Sequence, residues 1–335
     1  MLKSRSKYYY SKLDNDNKSV YDSILSAWEA KNPNASFTLN PLNKNIDIQK
    51  ALEYIKIDNP GLFYVDFKQI SAGGMMGMMS VNANFLYNKK QIDDMEKQIE
   101  SVIASVLAFK NFNSLDNYGK ETVIYDYLVK NVSYSFGVTN DETTSIIGSL
   151  LSKKAVCEGY SKAFKLLCDN CGLSGIVVTG KATPQDRQEE LHAWNIVKLD
   201  NPSGGTACAH VDVTWDSANR GDSDTCYSNF NLTDDDASKD HIWNKALLPA
   251  CSCPQLNYFE KNGLRAASRD EFINIIKSQA KLGKNHIFVK YTGREVTNEQ
   301  LMKAANEGLA GIIKPGQRVG FRYSNNRRVA VISLV

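Results

Sequence analysis

No apolar run in this 335-residue chain approaches the roughly 20 residues that a membrane-crossing helix needs. The longest lies around 102–109 and stops at Lys110. The first ten residues are basic and then aromatic, without the apolar stretch of a secretory leader. A cytoplasmic location is therefore expected, or a secreted or cell-surface one if a leader has been removed. An excess of charge of one sign is also missing. Lys and Arg number 40 and Asp and Glu 37, a net of +3, too balanced to imply nucleic acid or an anionic membrane surface as partner. Seven cysteines in so long a chain do not form the framework of a small disulfide-rich domain, and an odd count leaves at least one thiol free. Tandem repeats are absent too. What remains, 42% apolar and 23% charged residues, is an ordinary globular composition that excludes wholesale disorder and allows about two domains.

The pattern along the chain is that of an α+β protein. Val20, Ile24, Ala27 and Trp28 share a helical face that ends at Asn32-Pro33. Leu62-Phe63-Tyr64-Val65 and Asn84-Phe85-Leu86-Tyr87 read as strands flanking a long Gly/Met-rich hairpin tip at 71–80. That tip reads as a loop, or as an adaptable apolar lip. Helices follow on Ile92, Met95, Ile99, Ile103 and Val106, then on Tyr118, Thr122, Tyr125 and Val129, with a polar hinge at 111–118. At the far end, Ser268 and Glu271 have capping-box spacing. A helix, a strand at 286–291, a second helix through Leu301, Ala304 and Ala305, and a terminal hairpin at 317–335 complete a small α+β unit. Three regions are expected: 1–111, 112–262 and 263–335.

The middle region carries the chemistry. Tyr160, Ala163, Phe164, Leu167 and Cys171 form one helical stripe that Gly172 ends, so Cys157 sits in the first turn of a buried helix. Unpaired N–H groups and the helix dipole there favour a thiolate. Gly159 would let a substrate backbone approach the sulfur. His192 opens a strand-like run, His192-Ala193-Trp194-Asn195-Ile196-Val197, and could take the thiol proton. His210-Val211-Asp212-Val213-Thr214-Trp215-Asp216 alternates like a strand, with His210, Asp212 and Thr214 on one face. A turn at Asn201-Pro202-Ser203-Gly204-Gly205 could bring His192 and Asp212 side by side, Asp212 orienting the ring. His210 and Asp216 are rivals for the base and orienting roles. Trp194 and Trp215 read as core, one of them able to shield the site, and 216–226 as a rim loop.

Three blocks, Ala155-Val156-Cys157-Glu158-Gly159-Tyr160, His192-Ala193-Trp194-Asn195 and Val211-Asp212-Val213-Thr214-Trp215-Asp216, resemble those of bacterial transglutaminase-like proteins of the papain-like cysteine-enzyme superfamily. The likeness extends to Asp58-Asn59-Pro60-Gly61-Leu62-Phe63-Tyr64-Val65 upstream, and downstream to Tyr227-Ser228-Asn229-Phe230-Asn231-Leu232-Thr233-Asp234 and His241. The resemblance implies a cysteine-bearing helix packed on an antiparallel sheet that presents His and Asp. It makes Cys157 the nucleophile, His192 the base and acid, and Asp212 the orienting carboxylate. It implies a thioester intermediate formed from a peptide or glutamine-type amide of a protein or peptide substrate. Clearance by water is favoured, because water needs no second binding site; protein crosslinking and a noncatalytic protein- or cell-wall-binding module are the alternatives. An upstream Gln or Trp that would supply a second oxyanion donor has no counterpart here. Tyr134, Asn131 and Asn140 are the nearest substitutes.

No metal or cofactor is expected. Cys168-Asp169-Asn170-Cys171 with Cys251-Ser252-Cys253 could supply four thiolates for a structural zinc, but a CxxC is a weak signal and this one ends a helix and fits its buried stripe. The acidic turn Thr233-Asp234-Asp235-Asp236 reads as a solvated helix cap.

Overall fold

The computed structural model describes residues 2, 4–38, 46–75, 78–109, 111–184, 188–218 and 226–335. In order, the elements are α1 (Asn15–Glu29), β1 (Asn34–Thr38), α2 (Ile48–Asp58), β2 (Val65–Met75), β3 (Met78–Phe85), α3 (Lys89–Leu107), α4 (Asn117–Asn131), β4 (Ser133–Tyr134), α5 (Ile146–Leu150), β5 (Lys154–Ala155) and α6 (Cys157–Asn170). Then come β6 (Ser174–Ala182), β7 (Glu190–Asp200), β8 (Thr206–Val211), α7 (Val213–Ala218), α8 (Asp234–Ala237), β9 (His241–Ile242), α9 (Tyr258–Lys261), β10 (Arg265–Ala266), α10 (Arg269–Lys281), β11 (His286–Tyr291), α11 (Asn298–Leu309), β12 (Val319–Ser324) and β13 (Val329–Leu334). None of the described helices is long and apolar enough to cross a membrane. The chain forms two compact units. One comprises Met1–Val178 with Ala193–Val197, the other Thr179–His192 with Lys198–Val335.

In the first unit, the apolar spacing read from α1, α3 and α4 buries Val20, Ile24 and Trp28, then Ile92, Ile99 and Ile103, then Tyr125 and Val129. Side-chain caps start α1, α2, α3 and α4 at Asp14, Asp47, Asn88 and Asp116. Two strand assignments change. Leu62-Phe63-Tyr64 is a turn: Leu62 N–H donates to Asn59 and Val65 N–H to Leu62, so Pro60-Gly61 delays the strand to Val65. The Gly/Met stretch, conversely, is mostly strand. Ser71 to Met75 pair with Asn82 to Met78, and β3 is bonded on its other edge to β1, from Asn34↔Asn82 to Thr38↔Met78. Gly73 and Gly74 lie in edge strand β2, where pairing with the central strand β3 overrides the weak strand propensity of glycine. The tip itself, residues 76–77, lies outside the described residues.

The cysteine-bearing helix α6 is anchored along its length within this unit. Asn195 Nδ2 donates to Ser161 O at 3.0 Å and to Ile176 O at 3.2 Å, tying the helix to β7 and β6. Tyr160 Oη donates to Val132 O at 2.7 Å. Further along, the buried Lys165–Asp169 ion pair at 2.8 Å is completed by Ser6, whose hydroxyl donates to Asp169 at 2.6 Å and whose carbonyl accepts from Lys165 at 2.7 Å. At the head of the helix, Glu158 sits between Lys56 and Lys162, each 2.9 Å away. Gly172 ends the helix region with φ +85°, as expected for a glycine stop. Gly159, by contrast, is not an opening for substrate. A Cβ there would meet Thr143 O at 2.5 Å and Ser145 O at 3.0 Å, so the missing side chain lets the protein's own backbone close on α6.

In the second unit, a sheet of order β10-β11-β13-β12 has both faces covered. Ile287, Val289, Ala330 and Ile332 pack with Phe272, Ile276, Leu301 and Ala305 of α10 and α11. Phe288, Val329 and Val331 face Phe259 and Leu264. The caps at Ser268 and Thr297 start these two helices. A further sheet has the order β8-β7-β6-β9. The turn joining β7 and β8 is closed by Gly204 and Gly205 at φ +100° and +73°.

Two outcomes test the anchoring of α6. Gly159→Ala lowers stability by about 2 kcal/mol, the cost of overpacking a closed site, read as a lower thermal midpoint. Burial works to raise the Glu158 carboxyl, but the Lys162 and Lys56 ammoniums outweigh it and hold it at about 2, below its ordinary 4.5. The stabilisation is therefore complete above pH 4.5 and is lost as pH falls toward 2. The thermal midpoint of Glu158→Gln should lie below that of wild type near neutral pH, and the gap should close on acidification.

Candidate active site

Cys157 is the first residue of α6 and is partly exposed. The residue before it, Val156, offers no side-chain cap, in contrast to the capped helices of the same unit. The first-turn N–H groups at Cys157 thus have no capping side chain, and the positive end of the helix dipole lies there. Burial pushes Cys168, Cys171, Cys208, Cys226 and Cys251 upward, which keeps them as thiols.

In the second unit, β7 presents His192 and the end of β8 presents Asp212. His192 Nε2 lies 2.9 Å from Asp212 Oδ2, both side chains buried. Strands β7 and β8 are neighbours in the sheet, as the hairpin read in the sequence expects, but Asp212 is not in a strand. The chain leaves β8 at Val211 and turns into α7, so the strand-like alternation expected over 213–216 gives way to helix. Asp212 itself causes the switch: its Oδ1 accepts the Trp215 N–H at 3.2 Å, the bond of a helix cap. Its backbone N–H donates to Asn229 O at 2.9 Å. One carboxylate therefore starts a helix with one oxygen and holds an imidazole with the other.

With Nε2–H directed at Asp212, the ring is set in the tautomer whose Nδ1 can accept a proton. Burial works to raise the Asp212 carboxyl; the His192 and His241 rings overcome this and hold it well below the usual carboxylate range. The Trp215 ring lies 5.5 Å from that of His192 and 4.5 Å from that of His241. It packs against both imidazoles.

The two rivals have other partners. His210 Nε2 lies 2.9 Å from Asp234 Oδ1, and burial pushes this ring down to about 4, against the pull of Asp234. Asp216 is buried and accepts from Asn229 N at 3.0 Å, Asn229 Nδ2 at 2.8 Å and the Cys226 thiol at 3.2 Å. Asp216 thus secures the segment that returns alongside β8. The acidic turn is a cap, with Thr233 Oγ1 accepting from Asp236 N, and Asp236 pairs with Lys239 and Lys290. Of the expected rim loop, 219–225 lie outside the described residues.

The sequence analysis placed His241 in the family likeness without giving it a role, and it missed Asp240 and Arg327 behind Asp212. His241 Nε2 lies 3.2 Å from the same Oδ2, and Asp240 and Arg327 stand beyond it. The adjacent Asp240-His241 pair was a readable signal; Arg327, in a polar turn, gave none. Among the described residues two groups bring three metal-ligating atoms within 4.8 Å of one another: His192, Asp212 and His241, and His210, Asp234 and Cys251. Histidine–carboxylate hydrogen bonds account for the close approach in both.

Residues 110–206 match the family model of the transglutaminase-like superfamily, a stretch that includes Cys157 and His192 and ends before Asp212. A comparison with curated proteins gives no match. Among solved structures, the chain is similar to a crystal structure of a TGase at 16% identity, covering 46% of this chain and 45% of that one with a TM-score of 0.32. It is similar to a candidate cysteine protease from Cytophaga hutchinsonii at 18% identity, covering 44% and 61% with a TM-score of 0.27. It is also similar to menin at 14% identity, covering 69% and 53% with a TM-score of 0.27. The chain spans about half the length of these structures. The family likeness therefore rests on residues 110–206, which are similar to the transglutaminase-like superfamily.

Proposed function

We propose that this chain is a thiol enzyme that cleaves or transfers acyl groups from peptide or glutamine-type amides, with Cys157 as nucleophile, His192 as base and acid, and Asp212 as the orienting carboxylate. The superfamily is typically one of cysteine enzymes. The observation that carries the reading is the buried His192 Nε2–Asp212 Oδ2 bond of 2.9 Å, which leaves Nδ1 as the nitrogen that exchanges the proton. The uncapped helix start at Cys157 supports it further.

His192 takes the thiol proton and the sulfur attacks the amide carbonyl, forming the C–S bond. The developing oxyanion is stabilised by N–H groups of the first turn of α6. As the C–N bond breaks, His192 returns the proton to the departing amine, leaving a thioester on Cys157. Water then adds to the thioester with His192 as base, giving a carboxylic acid and the free thiol. An amine in place of water would give a new amide by the same route. We favour water, because it needs no second binding site.

Iodoacetamide alkylation near neutral pH, located by peptide mass spectrometry, tests the assignment. Cys157 should react first among the seven cysteines, and His192→Ala should slow it by about tenfold or more, with Asp212→Asn intermediate. Equal alkylation of Cys157 in wild type and His192→Ala, both folded, would contradict the proposal.

A further inference from the structure

The hydrogen bonds that begin at His192 continue past Asp212 into the C-terminal part of the chain. Asp212 Oδ2 is shared by two rings, His192 Nε2 at 2.9 Å and His241 Nε2 at 3.2 Å. The other nitrogen of His241, Nδ1, lies 2.6 Å from Asp240 Oδ1. Arg327 Nη2 donates to that same oxygen at 2.6 Å. Arg327 belongs to the turn between β12 and β13, far in sequence from the site, and it is only 6% exposed. Its remaining donors are also committed. Nε reaches Asn229 Oδ1 at 2.7 Å and Nη1 reaches Asp236 O at 2.7 Å. Asn229 in turn accepts the backbone N–H of Asp212 on its carbonyl. Arg327 therefore reaches Asp212 by two routes, through Asp240 and His241 to the side chain and through Asn229 to the backbone.

Burying a guanidinium is costly unless each of its bonds is made, and a buried carboxylate that loses its cation is costlier still. Without Arg327, Asp240 would be a buried carboxylate with His241 as its neighbour. The ring would be drawn toward Asp240, and its hold on Asp212 would weaken. Asp212 would then keep the Trp215 N–H and His192 but lose the second ring on Oδ2, so it would hold the ring of His192 less firmly.

We propose that Arg327 is a positioning residue for His192, acting through Asp240, His241 and Asp212. The proposal rests on the reading of His192 as the catalytic base, and it assigns the terminal hairpin a part in the reaction that its distance in sequence conceals. The geometry also gives an order of effect along the chain of contacts: loss of His241 should disturb Asp212 directly, and loss of Arg327 one step removed.

The test uses the full chain labelled with 15N. It contains four histidines, so the ring signals of His192 and His241 are assigned by His192→Gln and His241→Gln. Ring spectra and Cys157 alkylation rates are then compared for wild type, Arg327→Met and Arg327→Lys, each well below its own melting temperature. Arg327→Met should shift or broaden the His192 Nε2–H signal and slow alkylation by about tenfold. Arg327→Lys keeps a cation for Asp240 and should fall between the two. If Arg327→Met does not fold, Arg327→Lys decides by the same signal. A His192 Nε2–H signal unchanged in a folded Arg327 variant overturns the proposal, even where alkylation remains fast and dependent on His192. If wild-type Cys157 shows no dependence on His192, the enzyme reading fails, and the ring spectra still decide whether Arg327 positions His192.

Discussion

A buried carboxylate with three donors is the constraint on which the second unit depends. Asp212 accepts the Trp215 N–H on one oxygen and the rings of His192 and His241 on the other. The Trp215 bond ends β8 and starts α7, so the same side chain that shapes the backbone also orients the imidazole. Such a group cannot be replaced in part. An amide at this position would keep one acceptor oxygen and present an NH2 where the carboxylate now accepts. Secondary structure, burial and ring orientation are therefore coupled in one residue, and the energetic penalty of leaving any of these donors unmet enforces the geometry.

The cysteine is treated differently. Cys157 is held in place by the anchoring of the helix it starts. Asn195, Tyr160, the Lys165–Asp169 pair with Ser6, and the closed packing at Gly159 fix α6 from its second turn onward. The head of the helix has no capping side chain. A firmly packed helix whose N-terminal turn has no side-chain cap is a physical means of presenting a sulfur beside N–H donors. Burial keeps five of the other thiols protonated.

Much of this was legible in the sequence because it is local. The stripe of α6, the glycine stop at Gly172, the β7–β8 turn and the order of the terminal unit all follow from periodicity and turn chemistry. The failures have physical causes. Asp212 to Asp216 alternates like a strand, but a cap formed by the Asp212 side chain outweighs the alternation. The Gly/Met stretch lacks strand propensity, yet β3 is bonded on both edges and takes its partners with it. Gly159 was read as room for substrate, whereas the backbone at Thr143 fills that room. Arg327 was invisible because its role depends on three partners, Asn229, Asp236 and Asp240, that lie about ninety residues away.

The central claim is that Cys157 forms an acyl intermediate with the help of His192. The most direct measurement mixes the protein with excess p-nitrophenyl acetate, quenches with acid within the first turnover, and weighs the intact chain. The account predicts a stoichiometric burst of nitrophenol and one acetyl group on Cys157, absent from Cys157→Ala and strongly slowed in His192→Ala. Nitrophenol release at the same rate in wild type and Cys157→Ala, with no acetyl group on Cys157, would contradict it.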